Sequence, residues 1–386
     1  MKKIRVGIIG VGNIGTAHAY SIYDGKIEGL ELSALCDVDE KRLDSLRLEF
    51  PNIPLFKSSD ELISSGICDA VVIATPHYFH VPISRVALEN NLDVLCEKPL
   101  GVYTKGIKEL FSLADKNGRV FSAMLNQRAN KLFKKARELI TTGKIGKIKR
   151  SVWIITNWYR TEAYYSSGKW RGTWQGEGGG VLMNQAPHNL DLWQWLCGMP
   201  RSIYAICNSG KYHDIEVEDE ATIFAEYENG ATGVFITSTG DYDGTNRLEI
   251  IGECGKLVLE KGTLTFTSFS CSERELCSGK TDSIEEAVEI IEDEEYNGHR
   301  VILQNFANAI LNGEELIAPA SEAINELMIC NLSYLSSWKG EKIELPINED
   351  EYLNQLEERI KSSVAKNSKG ENSFGKTYLN RWQTNW

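Results

Sequence analysis

Gly10-Val11-Gly12-Asn13-Ile14-Gly15 follows directly on an apolar run, residues 4–9, and opens a helical pattern over residues 14–27. A strand, a GxGxxG turn and a helix form one unit in which each glycine has a distinct task. The first permits the tight turn, the second lets backbone approach a pyrophosphate, and the third lets helix and strand pack closely. The helix N-terminus then offers unpaired N–H groups and a positive dipole end to an anion. Asn13 and Ile14 lie in the same turn. Asp37 closes the second apolar run, 22 residues after Gly15. A carboxylate there accepts both ribose hydroxyls of a dinucleotide and repels a 2′-phosphate, so the expected cofactor is NAD rather than NADP.

The pattern continues to about residue 125. Apolar runs at 32–35, 70–74, 93–96 and 120–125 read as strands buried on both faces. Amphipathic stretches at 40–49, 59–64, 82–90 and 105–117 read as helices between them. This alternation predicts an N-terminal Rossmann domain, a doubly wound parallel sheet, over residues 1–125. From about Arg128 the grammar changes. Helices at 131–142 and 187–197, a long strand at 148–159 and strands at 203–207, 221–227, 232–238, 248–252, 256–259 and 263–267 predict an α+β domain over 126–345. Its sheet should be large, open and mostly antiparallel. Helices at 300–312 and 322–336 follow. Residues 346–386 read as an extension: a polar helix at 349–364, a linker, and a helix with Phe374, Tyr378, Trp382 and Trp386 on one stripe.

The 54 acidic and 42 basic residues leave a net charge of −12, which speaks against nucleic acid or an anionic membrane as partner. No apolar run is long enough for a membrane helix. The nine cysteines contain no CxxC pair and read as reduced thiols. Arg5 and the glycines interrupt the N-terminal apolar stretch, so it reads as a strand rather than a signal peptide, and the protein is expected in the cytoplasm.

Ligands of doubly wound sheets sit at the carboxyl ends of the strands. Thr75, Pro76, His77 and His80 follow one strand end, and Glu97, Lys98 and Pro99 follow the next. These are candidate cofactor contacts, and Lys98 is also placed to touch substrate and stabilise a developing alkoxide. His77 and His80 lack the partners of a metal site, and no metal is expected. A second cluster runs from Glu177 through Gly178-Gly179-Gly180 to Asn184, Gln185, Pro187, His188 and Asp191. The glycine run should bring backbone close to a ligand. Asn184 and His188 are four apart and would share one helical face. A histidine suits proton transfer from an alcohol, and Asp191 would cap or orient it.

The glycine turn, the strand-end Glu97-Lys98-Pro99 and the Gly178-Gly179-Gly180 run leading to Pro187-His188 and Asp191, in this order, resemble the Gfo/Idh/MocA family over residues 1 to about 345. The resemblance implies a Rossmann domain, a second domain with a large open sheet, and NAD(P)-linked oxidation of a ring hydroxyl of a sugar or polyol. It also implies homodimers or homotetramers formed through that sheet. Lys98 matches the family lysine, Pro99 its often cis proline, and His188 its catalytic histidine. The family commonly has aspartate where this chain has Asn184, which cannot take a proton. The expected roles are therefore His188 as base, Lys98 holding the reacting oxygen and Asn184 positioning it.

Six of nine tryptophans fall between Trp153 and Trp195. Trp158, Arg160, Tyr165, Trp170, Arg171 and Trp174 precede the glycine run, where aromatic faces could stack on a sugar ring and arginines could hold hydroxyls or a carboxylate. A core or a subunit interface would use the same residues. With Gln127, Asn184, Gln185, His188 and Lys98, Trp158, Arg160, Tyr165, Trp170 and Trp174 make up the candidate substrate set. The leading reading is an NAD-dependent sugar, sugar-acid or polyol dehydrogenase. Two rivals remain: a glycosidase that oxidises its substrate transiently and recycles NAD, and a non-enzymatic NAD(H) sensor.

Overall fold

The computed structural model describes residues 3–168 and 170–363. The aromatic stripe expected at Phe374–Trp386 lies outside them. The first run of elements is β1 (Ile4–Ile9), α1 (Asn13–Tyr23), β2 (Leu30–Cys36), α2 (Glu40–Glu49), β3 (Leu55–Phe56), α3 (Ser59–Ser64), β4 (Ala70–Ile73), α4 (His80–Glu89), β5 (Asp93–Cys96), α5 (Ile107–Asn117) and β6 (Phe121–Ala123). Then come α6 (Lys131–Thr141), β7 (Ile148–Ile155), α7 (Glu162–Ser166), α8 (Pro187–Cys197), β8 (Ser202–Ser209), β9 (Glu218–Glu226), β10 (Thr232–Ser238), β11 (Asn246–Gly252), β12 (Gly255–Glu260), β13 (Thr263–Phe269), α9 (Glu273–Cys277) and β14 (Glu286–Glu292). The described chain ends with α10 (Gly298–Asn312), α11 (Ala320–Lys339), β15 (Ile343–Glu344) and α12 (Glu349–Ser362).

These elements form two compact units. Among the described residues, the first comprises those up to Ala129 together with Tyr296–Met328, the second those from Asn130 to Glu295 and from Ile329 onward. The first is built on a six-stranded sheet in the order β3-β2-β1-β4-β5-β6, every pair parallel. Strands β4 and β5 are buried at every residue, as expected of strands covered on both faces. Local chemistry sets the helix ends. The Asp39 carboxylate accepts the Lys41 N–H at the start of α2, and α5 stops at Gly118, whose φ of 60° suits a residue without Cβ. The later segment closes this core. Ile302, Leu303, Phe306 and Ala307 of α10 pack in one cluster with Val6, Ile8, Leu35 and Leu95. Residues 296–328 thus leave the span of 126–345 expected for the second domain. Helix periodicity shows that an apolar face exists but not which sheet it covers.

The second unit holds a nine-stranded sheet in the order β14-β13-β12-β11-β7-β10-β9-β8-β15. It is antiparallel except where β10 runs parallel to β7. Burial alternates along β9 and β12, so one face of the sheet is covered and the other is not. The covered face packs on α6 and α8 through Phe133, Trp153, Trp193 and Phe235. Strand β14 is absent from the sequence-based expectation: its sequence EAVEIIE is acidic and nearly all exposed, Val288 and Ile290 included, so it shows no buried apolar face. Helix α12, expected in a separate extension, is part of this unit. Its buried Tyr352 stacks on Trp338 of α11 at 5.5 Å, and the Arg359 guanidinium lies 3.8 Å from the Trp338 ring centre.

Candidate active site

In the first unit the three glycines differ in a way that assigns their tasks. Gly10 has φ 89°, and a Cβ there would lie 2.7 Å from the Ala74 carbonyl. A Cβ on Gly15 would come within 2.0 Å of the Gly10 carbonyl oxygen, so this glycine is what lets α1 sit on the turn. A Cβ on Gly12 would meet nothing nearer than Arg42 Nη1 at 4.0 Å. The turn is therefore open at Gly12, the N-cap of α1, where no side chain caps the helix. Asp37 stands beside this opening. Its Oδ2 accepts the Val11 N–H and the Arg42 guanidinium, both at 3.0 Å, and its Oδ1 accepts the Asp39 N–H at 2.9 Å. Thr75 Oγ1 is buried and has no hydrogen-bond partner among the described residues. An open helix terminus, a neighbouring carboxylate and an orphaned hydroxyl at the strand ends fit a dinucleotide.

Two expected cofactor contacts have another task. Both ring nitrogens of the buried His80 face backbone carbonyls, Nδ1 that of Pro99 at 2.6 Å and Nε2 that of Thr75 at 2.7 Å. His80 ties the turn after β4 to the turn after β5 rather than reaching for a ligand. Glu97 is also buried, and its Oε1 lies 2.8 Å from His18 Nε2. Burial alone would push this carboxyl up. The hydrogen bond and charge of His18, with His299 and Lys98, instead bring it down to about 2. His299 is itself pushed down to about 4 by burial, with His18 adding to the effect. Glu97 Oε2 accepts the Lys98 N–H at 3.3 Å, and the Lys98–Pro99 peptide is cis. Of residues 92–100, Lys98 is the one that is not buried. His77 is buried beside His80, their ring centres 6.0 Å apart. Gln127 is buried too, and its Oε1 accepts the Tyr296 hydroxyl at 3.0 Å.

In the second unit the glycine run serves packing. A Cβ on Gly179 would lie 2.1 Å from the Tyr334 hydroxyl, and one on Gly180 would lie 1.9 Å from the Glu218 carbonyl oxygen. The buried Glu218 carboxyl accepts the Gly180 and Leu182 N–H groups, each at 2.9 Å, and the Tyr334 hydroxyl at 2.8 Å. Burial raises it to about 7 against the pull of those donors. The glycines thus bring backbone close against β9 and α11. After them, residues Val181–Gln185 form a π-helical turn and α8 begins only at Pro187. Asn184 and His188 therefore do not share one α-helical face, because the π turn breaks the four-residue repeat. Both nevertheless reach the surface: they are the two residues of 181–190 that are not buried. Asp191 is buried in α8, where its Oδ1 accepts the Gln194 side-chain amide at 3.0 Å.

Around Asn184 the sequence-named aromatics divide. Tyr165 is 2% exposed, with its hydroxyl 2.9 Å from Thr239 Oγ1. Trp174 is 6% exposed, donates to the Glu216 carbonyl and packs against Tyr334 and Trp338. Both are interior residues of the unit, and neither offers a ring face to a sugar. Trp158 is also buried, with Arg160 over its ring at 5.7 Å, and Trp170 is partly exposed with Arg171 over its ring at 4.4 Å. The centre of the cluster is Tyr164, a residue outside the candidate set. Its hydroxyl oxygen faces Arg171 Nη1 at 2.5 Å, Gln185 Nε2 at 3.1 Å and Asn184 Nδ2 at 3.2 Å, and two guanidiniums, of Arg160 and Arg171, lie over its ring.

Comparison with known proteins settles the family. Residues 4–125 match the model of the oxidoreductase family with an NAD-binding Rossmann fold, and residues 133–258 match the GFO/IDH/MocA C-terminal domain. The chain belongs to the Gfo/Idh/MocA family. This Gfo/Idh/MocA oxidoreductase is 27% identical to the myo-inositol 2-dehydrogenase of Thermotoga maritima over 262 residues, 66% of this chain and 74% of that one. It is 26% identical to an inositol 2-dehydrogenase of Corynebacterium glutamicum over 198 residues, 51% of this chain and 55% of that one. Among solved structures, the WlbA dehydrogenase of Bordetella pertussis, in complex with NADH and UDP-GlcNAcA, superposes with a TM-score of 0.75. That pair is 25% identical over 90% of this chain and all of the other.

Three side chains that build these clusters stood in plain view in the sequence without being assigned. His18 lies three residues past Gly15, on the first helix. Its signal was only its place, since the Glu97 it meets is 79 residues away. Glu177 precedes the glycine run and Tyr164 the tryptophan loop; their hydrogen bonds depend on a chain reversal that no periodicity reports.

Proposed function

We propose that this oxidoreductase moves a hydride between NAD and a ring carbon bearing a hydroxyl in a sugar, sugar acid or cyclitol. The carrying observation is that Lys98, Asn184 and His188 are the partly exposed residues in otherwise buried stretches. Interior sequences that surface at an ammonium, an amide and an imidazole have groups to hold and deprotonate a hydroxyl. Gly10, Gly12, Asn13, Ile14 and Gly15 would hold the cofactor's pyrophosphate at the N-terminus of α1. Asp37 would take the ribose hydroxyls, and Thr75 Oγ1 would gain its missing partner. When bound, NAD supplies the hydride acceptor. The protein's own part is acid–base work: His188 takes the hydroxyl proton, Lys98 donates to the reacting oxygen as its negative charge grows, and Asn184 orients the ring. The inositol dehydrogenase names of the relatives and the UDP-GlcNAcA in the WlbA complex support this substrate class.

The uncovered sheet face supports self-association. Tyr204 of β8 pairs with Phe224 of β9, which pairs with Val234 of β10, which pairs with Val152 of β7, an apolar row across four strands. Tyr204 and Phe224 are each 40% exposed, and Ile206 is 52% exposed. A second copy placed on this face would cover the row, making a homodimer or homotetramer.

The test is a panel of cyclitols, sugars, sugar acids and glycosides incubated with NAD and with NADP. Each reaction is followed by NADH absorbance and by product mass. Net NADH with an oxidised product is expected; cleaved glycoside without NADH would replace this reading by redox-cycling hydrolysis. Light scattering gives the oligomer size.

A further inference from the structure

The two arginines that flank Tyr164 are not equivalent. Arg171 Nη1 lies 4.0 Å from Oε1 of Glu177, a carboxylate 1% exposed. Glu177 is fully engaged there: Oε1 also accepts the Asn184 amide, and Oε2 accepts the Gly172 N–H at 2.6 Å. Arg160 has no such partner. Among the described residues its guanidinium donates once, from Nη1 to the Tyr159 carbonyl at 3.0 Å, and joins no ion pair. Its Nε is buried without an acceptor, while the side chain as a whole is partly exposed. Two guanidiniums therefore lie over one tyrosine ring, at 5.0 and 4.4 Å from its centre, and only one of them is paired with a carboxylate.

The fold, not an ion pair, holds Arg160 in place. Its N–H donates to the Thr239 carbonyl at 2.9 Å, and its own carbonyl accepts from His213 Nε2 at 2.9 Å. The other nitrogen of that imidazole lies 3.1 Å from the buried Asp219 carboxylate. Above this anchored backbone the guanidinium lies over the Trp158 and Tyr164 rings. The rings attract the cation but leave its forked N–H groups without an oxygen acceptor. A carboxylate or a phosphate accepts such a fork two bonds at a time. The same Tyr164 reaches the proposed reaction site, since its hydroxyl stands 3.2 Å from Asn184 Nδ2. A ligand filling the space beside Asn184 strips water from the guanidinium, which is unfavourable for an unpaired charge and is offset by an oxyanion on the ligand. We infer that Arg160 forms an anion subsite beside Asn184, so that the ring substrate carries a carboxylate or a phosphate. This inference rests on the redox reading proposed above and deepens it, narrowing sugars, sugar acids and cyclitols to their anionic members.

The test compares rings that differ only in charge. The parent is assayed with NAD on D-glucose, D-glucuronate and D-glucose 6-phosphate, and on myo-inositol beside its monophosphate. At least one anionic ring should exceed its neutral counterpart about tenfold or more in kcat/KM, the worth of one hydrogen-bonded charge pair. Whether it is the uronate or a phosphate identifies the anion. Arg160→Gln keeps a donor for the Tyr159 carbonyl and removes the charge. Its KM for the preferred anionic ring should rise at least about tenfold, while KM for the neutral counterpart stays within about threefold of the parent's. Arg160→Lys restores the charge without the fork and should recover part of that loss. The NAD Kd and the melting temperature of both variants should match the parent's, which separates a lost subsite from a damaged fold. Neutral rings turned over as well as their anionic counterparts, or an Arg160→Gln variant that keeps the anionic preference, overturns the inference and leaves the redox reading standing. A parent protein that turns over no ring of either charge overturns the redox reading and this inference with it.

Discussion

Arg42 Nη1 lies 3.0 Å from Asp37 Oδ2, so the carboxylate expected to select the cofactor carries its own counter-charge. The arginine side chain is 45% exposed and stands over the open side of the glycine turn, whereas Asp37 is 7% exposed. With Asp37 in place, an incoming 2′-phosphate meets a carboxylate, and NAD should bind more tightly than NADP. Asp37→Ala frees the guanidinium for the phosphate. Titration of cofactor fluorescence should then show NADH affinity falling about tenfold, the ~1.4 kcal/mol of one good hydrogen-bonding group, while NADPH affinity rises. If Asp37→Ala leaves the NADH/NADPH ratio where it was, this carboxylate does not select the cofactor.

Acid should weaken the first unit in two steps. His299 has its folded value at about 4, below the ordinary 6.5, because burial opposes its charge. The unfolded chain therefore takes up a proton that the folded chain refuses, and stability falls as pH drops from 6.5 to about 4. Glu97, at about 2, is ionised in the fold against an ordinary 4.5, so its contribution is lost as pH falls from 4.5 towards 2. Melting temperature measured from pH 8 to 3 should decline through the upper window in the parent. His299→Gln should abolish the part of that decline between 6.5 and 4.

His18→Ala should be strongly destabilising, although His18 is buried and outside the candidate site set. It leaves the buried Glu97 without the imidazole at 2.8 Å. Removing one partner of a buried pair typically costs about 3–5 kcal/mol, since an unpaired charge stays behind. Glu97→Gln in the same background removes that charge and should recover part of the loss in denaturant unfolding. A double variant no more stable than His18→Ala would mean that the pairing is not what the histidine contributes.

His188→Ala and Lys98→Met should each abolish turnover while NAD binding, measured by calorimetry, persists. Each removes a group proposed for the proton or the oxygen and leaves the glycine turn untouched. Normal turnover in both variants would remove these residues from the chemistry.

The legible part of this protein was the part written in local pattern. The turn at Gly10–Gly15, Asp37 and the strand ends at Thr75 and Lys98 follow from short apolar runs and fixed spacings. The open and closed sides of the three glycines follow the same spacings. What stayed hidden was set by long-range packing. Helix α10 (Gly298–Asn312) joins the core of β1 (Ile4–Ile9) from the far end of the chain because its Phe306 face fits there, and nothing in its periodicity says so. Trp174 and Tyr165 looked like sugar platforms because composition cannot distinguish an interior aromatic from a ligand-facing one. The pairing of Glu177 with Asn184 spans the glycine run and depends on how the chain folds back there, which four-residue spacing does not anticipate.

Gly12→Ala and Gly15→Ala make the most direct comparison, since they add the same methyl group three residues apart in one turn. At Gly15 the new Cβ would lie 2.0 Å from the Gly10 carbonyl oxygen, backbone that cannot yield without lifting α1 off the turn. Overpacking of this kind typically costs about 1–3 kcal/mol and sometimes more, so Gly15→Ala should melt several degrees below the parent with or without cofactor. At Gly12 the backbone has φ −69°, ordinary for alanine, and the nearest atom to the new Cβ is 4.0 Å away. Gly12→Ala should therefore fold with the parent's melting temperature. Its methyl instead occupies the open face where a pyrophosphate would approach, so NAD should bind at least tenfold more weakly and should no longer raise the melting temperature. Unimpaired NAD binding by Gly12→Ala would show that the cofactor does not lie on this face of the turn.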